Sequence, residues 1–252
     1  MSEVLIVKDL HKNFGGIKAV AGCDFSVERG NIVALIGPNG AGKTTVFNLI
    51  TGFLKLDKGK VLLEGDDITH LVPHKRFSYG ISRTFQLIRL FPKMTVIENM
   101  LLAMKHKHEG LLDALINSKK MKELEKNNEK KAMELLEFVN IQKKANESAG
   151  NLSYGQQKLL EIARALAQEP EIIMLDEPAA GVNPTMLKKI GELLIKLKKQ
   201  GKTILFIEHD MEFVMKIADK VIVMDYGDEI AIGTPNEIQN NKKVIDAYLG
   251  VT

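Results

Sequence analysis

Short, near-continuous apolar runs punctuate this chain, and longer stretches between them repeat their apolar residues every three or four positions. Runs at residues 31–36, 172–175, 203–207 and 221–224 predict strands buried on both faces, the kind that build parallel sheets. Helical segments separate the later runs, and that alternation predicts a largely parallel sheet covered by helices, an α/β fold. Residues 4–7, 19–27 and 60–63 read as further short strands, with turns at Gly15-Gly16 and at residues 64–67. Residues 43–51 read as a helix stopped near Gly52.

The middle of the chain has a different texture. From Thr95 to about Asn140, Gly and Pro are scarce, while Leu, Met, Lys and Glu dominate. Met121, Leu124, Leu135, Leu136 and Val139 recur at roughly helical spacing, which predicts a helical segment with one solvated face. Lys119, Lys120, Lys122 and Lys126 belong to that face, and the His106–His108 pair reads as a surface feature. The tail at residues 235–249 reads as one or two short helices. Neither an internal repeat nor a low-complexity segment is present.

Composition narrows the class of function. A chain of 252 residues with 45% hydrophobic and 27% charged residues can bury a sizeable core. No stretch approaches the roughly 18 apolar residues that cross a bilayer, and the run at residues 4–7 is a strand rather than a secretion signal. Any membrane role is therefore expected through a partner. Cys23 is the single cysteine, so an intramolecular disulfide is excluded and a reducing cytoplasmic setting fits. A net charge of +3 does not predict a nucleic-acid partner.

The candidate chemistry lies in two places. Gly37, Pro38, Asn39, Gly40, Ala41, Gly42, Lys43, Thr44 and Thr45 form a phosphate-loop pattern, directly after a predicted strand and before a predicted helix. Its glycines let backbone N–H groups converge on phosphates, and the helix amino terminus adds positive charge. Lys43 is expected to reach the β- and γ-phosphates of a nucleotide triphosphate and Thr44 to hold Mg²⁺. Downstream, the run IIMLDEP ends in Asp176 and Glu177. Asp176 fits a Mg²⁺-holding carboxylate, and Glu177 a general base for an attacking water. Neighbouring strand residues face opposite ways, so both can serve one site only where the strand ends, as Pro178 indicates.

Between these signals stands LSYGQQ at residues 152–157, which resembles the LSGGQ signature of ABC ATPases, with Tyr154 in place of a glycine. In that family the signature of one subunit faces the γ-phosphate held by another, which implies a second ATPase chain, identical or paralogous. Ser153, Gly155 and Gln156 are the matching groups; an ordinary helix N-cap by Ser153 is the alternative reading. Gln86 in ISRTFQ corresponds to the family glutamine that approaches Mg²⁺. His209 in IEHDM corresponds to the switch histidine at the γ-phosphate, and Phe14 in KNFGG to the aromatic that stacks on adenine. Asn183 stands where many members carry Asp, so charge-based coupling through that position is not expected.

The resemblance spans the whole chain and implies a P-loop NTPase core at 1–86 and 156–252. That core would carry an antiparallel β subdomain, and a helical subdomain would occupy 87–155. ISRTFQ, LSYGQQ, LDEPAAGVNP and VIDAYLG are most similar to the ATPase subunits of branched-chain amino-acid importers; the ATPase of lipopolysaccharide export comes next. That likeness implies transmembrane permease subunits as partners and, indirectly, an extracytoplasmic solute-binding protein. It also implies a peripheral position on the cytoplasmic face of the membrane. A soluble ABC protein acting on DNA or ribosomes is a weaker match, because the chain has one cassette and no sustained heptads.

Overall fold

A computed structural model describes residues 2–104 and 118–249. The His106–His108 pair and the side chains of Lys119, Lys120 and Met121 lie outside the described residues. The chain forms two compact units, residues 1–86 with 170–252 and residues 87–169.

The first unit contains two sheets. Strands β1 (Glu3–Phe14), β2 (Ile17–Glu28), β4 (Lys58–Leu63) and β5 (Asp66–Asp67) form an antiparallel sheet in the order β2-β1-β4-β5. The second sheet is built from β3 (Ile32–Ile36), β6 (Ile81–Arg83), β7 (Ile172–Asp176), β8 (Thr203–Ile207), β9 (Lys220–Asp225) and β10 (Asp228–Gly233). Its order is β10-β9-β3-β8-β7-β6, parallel except for the edge pair β9–β10. Every residue of β3, β7 and β8 is buried, as their unbroken apolar runs demand of central parallel strands.

Helix α1 (Lys43–Thr51) follows β3 and buries Val46, Phe47, Leu49 and Ile50, the spacing of one helical face. Gly52 ends it in the left-handed conformation at φ 78°. Helices α2 (Pro73–Ser78), α6 (Pro184–Lys199), α7 (Met211–Ile217), α8 (Pro235–Gln239) and α9 (Lys242–Leu249) complete this unit. Residues of both sheets share one core with α1, including Leu10, Phe25, Leu35, Phe47, Leu63 and Met174.

The amino-terminal strand is much longer than the apolar run at residues 4–7 indicates. Register shifts interrupt its pairing with β2 and β4, and Asp9 sits at φ 46°. Such irregularities break the period-two alternation by which a strand is recognised, so its second half carries no clean pattern. Strand β10 escaped for a related reason: none of its six residues is fully buried.

The second unit is helical: α3 (Val96–Ala103), α4 (Ser118–Phe138) and α5 (Tyr154–Leu166). Helix α3 packs on both of the others. Of the expected apolar face, Leu136 and Val139 are buried and Leu124 and Leu135 half-buried; Ala132 is buried as well, while Lys122 and Lys126 are exposed. This unit runs through Glu169 and contains all of α5, so the chain leaves it later than residue 155. Among the described residues, no helix is long and apolar enough to cross a membrane.

Candidate active site

Four adjacent parallel strands, β3, β8, β7 and β6, bring their carboxyl ends to one edge of the six-stranded sheet. In open α/β sheets this edge is where ligands bind. The sequence continues there into Gly37–Gly42 after β3, Glu208–Asp210 after β8, Glu177 after β7 and Thr84–Gln86 after β6.

The loop after β3 is packed too tightly for side chains at its two ends. A Cβ on Gly37, at φ 149°, would lie 2.1 Å from the Met224 carbonyl oxygen; one on Gly42, at φ 99°, would lie 2.3 Å from that of Ala19. Ala41 is buried between them, whereas Asn39, Gly40 and Thr44 are exposed and Pro38 and Thr45 half-buried. Helix α1 begins at Lys43 without a side-chain cap and without an acidic residue in its first turn. Its first N–H groups therefore keep the partial positive charge of a helix amino terminus. Lys43 is 8% exposed and donates through Nζ to the carbonyls of Gly37 (2.7 Å) and Pro38 (2.8 Å). Burial lowers the pKa of this ammonium group, and the carboxylates of Glu177 and Asp176 oppose that shift.

Asp176 ends β7 in a buried ion pair, with Arg83 Nη2 donating to its Oδ2 at 2.8 Å. Arg83 Nη1 also donates to Asn48 Oδ1 and Thr51 Oγ1 on α1, and the guanidinium lies 5.2–6.0 Å from the rings of Phe47, Phe53 and Phe85. Charge, hydrogen bonds and aromatic faces together offset the desolvation of both ions. The next residue, Glu177, takes φ 49°, so regular strand alternation stops between the two acids. Gln86 Nε2 donates to Glu177 Oε2 at 3.1 Å, and His209 Nδ1 stands 4.0 Å from Glu177 Oε1. The structure thus gathers Gln86, Glu177 and His209 at one point.

Two charged residues here escaped the sequence reading. Arg83 lies within the quoted ISRTFQ, yet its partner Asp176 is 93 positions away. Glu208 lies within IEHDM and is 1% exposed. Its Oε1 accepts the Ala179 N–H at 2.8 Å and its Oε2 the His209 N–H at 3.2 Å. Burial raises its pKa, while these two bonds favour the ionised form. The only signal available in sequence was a charged residue closing a fully apolar strand run.

Phe14 ends β1 half-exposed, with Lys12 Nζ 5.6 Å from its ring centroid. The remaining predicted residues belong to the helical unit. Ser153 caps α5: its Oγ accepts the Gln156 N–H at 3.4 Å, and Gln156 Oε1 accepts the Ser153 N–H at 2.9 Å. Gly155 is half-buried in the first turn. Asn183 similarly caps α6, its Oδ1 accepting the Met186 N–H at 2.9 Å, a task that an aspartate performs equally well.

Comparisons with known proteins identify the family and the fold. Residues 20–180 match the family described as ABC transporter, and residues 229–252 match that described as branched-chain amino acid ATP-binding cassette transporter. The chain is 45% identical over 249 residues to the high-affinity branched-chain amino acid transport ATP-binding protein BraF of Pseudomonas aeruginosa, covering 98% of each. A crystal structure of the ADP conformation of an ATP-binding cassette of an ABC transporter is 38% identical, with TM-score 0.86, over 99% of this chain and 100% of that one. A dimeric cassette in a post-hydrolysis state, bound to ADP and phosphate, is 26% identical with TM-score 0.76, over 92% and 98%. The family match over residues 20–180, the 45% identity and the shared fold show that the chain belongs to the ABC transporter family as one of its ATP-binding cassettes.

Proposed function

We propose that this chain hydrolyses ATP to power an importer of branched-chain, hydrophobic amino acids, working with transmembrane permease subunits and a second ATPase chain. The observation that carries the chemistry is the meeting of Gln86, Glu177 and His209 beside the phosphate loop, at the carboxyl edge of the parallel sheet.

In this reading the backbone of Gly37–Thr45 and the ammonium group of Lys43 cradle the β- and γ-phosphates, while Phe14 stacks on adenine. Glu177 takes a proton from the attacking water as its oxygen bonds to the γ-phosphorus; the bond to the bridging oxygen breaks, releasing ADP and inorganic phosphate. Gln86 orients the carboxylate by its hydrogen bond, and His209 donates to the γ-phosphate. Thr44, Gln86 and Asp176 would hold Mg²⁺: a hydroxyl, an amide and a carboxylate are the hard oxygen donors this ion takes. The ion would neutralise charge on the phosphates.

Ser153, Gly155 and Gln156 would meet the γ-phosphate held by the second ATPase chain, since a capped helix start supplies N–H groups and a hydroxyl. The solute-binding protein and the position at the cytoplasmic membrane face follow from assembly with the permease. What supports these partners is the 45% identity to a transport subunit and the dimeric cassette of the same fold.

Reconstitution with the permease and solute-binding protein in vesicles tests the cargo. Leucine, isoleucine and valine should stimulate ATP hydrolysis and accumulate inside. Stimulation confined to unrelated solutes would overturn the assignment.

A further inference from the structure

The strand pair β7–β8 ends at the Asp176–Ile207 pairing, and the backbone just beyond it carries both Glu177 and His209. The Glu177 N–H still finds a ladder partner in the Ile207 carbonyl at 3.1 Å. Glu177 then turns to φ 49°, Pro178 offers no N–H, and the next donor is Ala179. No strand carbonyl receives it. Its acceptor is the carboxylate of Glu208, 1% exposed, whose other oxygen takes the N–H of His209.

We infer that Glu208 is a positioning residue for hydrolysis: its carboxylate pins the turn after Glu177 to the backbone of His209 and so fixes the spacing of base and histidine. The inference rests on the proposed roles of Glu177 and His209. Physically, the side chain replaces the carbonyl that would have extended the ladder. Each oxygen accepts from one of the two segments; the bond from Ala179 is buried, where such bonds are least easily exchanged, and that from His209 is part-buried. The His209 Nδ1 and Glu177 Oε1 atoms thereby stand 4.0 Å apart. A displacement of about 1 Å at such a site can cost on the order of a hundredfold in rate.

The two-acceptor geometry gives the test. Glu208→Gln preserves shape but has one acceptor oxygen, so one N–H must face an amide NH₂. Three readouts are taken on Glu208→Gln: ATP affinity, kcat of the assembled transporter, and hydrogen exchange at the Ala179 and His209 amides. Unchanged affinity, kcat lowered tenfold to a hundredfold and faster exchange at one of those amides are expected. If Glu208→Gln folds poorly, Glu208→Asp serves: it keeps the charge, and its shorter side chain cannot span both amides. Faster exchange with normal kcat in either variant would overturn the inference, reducing Glu208 to a structural part. Glu177→Gln is assayed in parallel. Normal turnover there removes the base itself, whereas loss there alongside normal Glu208 variants removes only the positioning role.

Discussion

Two helices of this protein begin at the segments proposed to meet phosphate, and they begin in opposite ways. Helix α1 starts after a left-handed glycine with no side-chain cap, leaving its first-turn N–H groups to whatever anion arrives. Helix α5 starts with a complete capping box, Ser153 and Gln156 each satisfying the other's backbone. The first terminus is open by construction; the second is self-sufficient within one chain. An open terminus suits tight binding of the chain's own nucleotide. A self-satisfied one suits a surface that must stay stable until a second chain brings the phosphate.

The contrast can be broken from either side. Ser153→Arg should leave nucleotide affinity of the isolated chain intact while lowering turnover of the assembled transporter on the order of a thousandfold, as loss of a transition-state donor does. A collapse of affinity in the isolated chain would mean that Ser153 serves its own nucleotide. Gly42→Ala should do the reverse. Its methyl would meet the Ala19 carbonyl and force a left-handed alanine, so ~1–3 kcal/mol of strain falls on the phosphate loop. Equilibrium binding of a fluorescent ATP analogue should weaken about tenfold or more; undiminished binding would show the loop tolerates a side chain. The smallest effect belongs to Ser153→Ala. Losing the cap costs about 1 kcal/mol, a fall of roughly 2–4 °C in melting temperature for a domain of this size. Calorimetry showing no fall would mean the long 3.4 Å bond contributes nothing.

The same contrast explains what the sequence disclosed. Helix α1 was legible to the residue because every cue is local: a strand, two glycines, an apolar stripe at helical spacing and Gly52 as the stop. Both readings of Ser153 were also legible, and the cap is the one realised within a single chain. Arg83 and Glu208 were not. Each is a buried charge whose justification is a partner distant in sequence, Asp176 for one and Ala179 for the other. Hydrophobic periodicity registers neither, because it assigns charges to the surface by default. The limits of the helical unit were hidden likewise: residue 155 falls inside α5, which runs unbroken to Leu166, and the unit closes only at Glu169.

The buried pair of Arg83 and Asp176 has a consequence for heredity. Removing one member of such a pair strands the other's charge in the interior, at a cost of roughly 3–5 kcal/mol, a large share of what keeps a domain folded. In the proposed mechanism Asp176 is one of the residues that would hold Mg²⁺, and that role would leave it little liberty to change. Arg83 is therefore carried along with it: descendants of this gene that drift widely elsewhere should keep an arginine three residues before Gln86, or replace its surroundings wholesale.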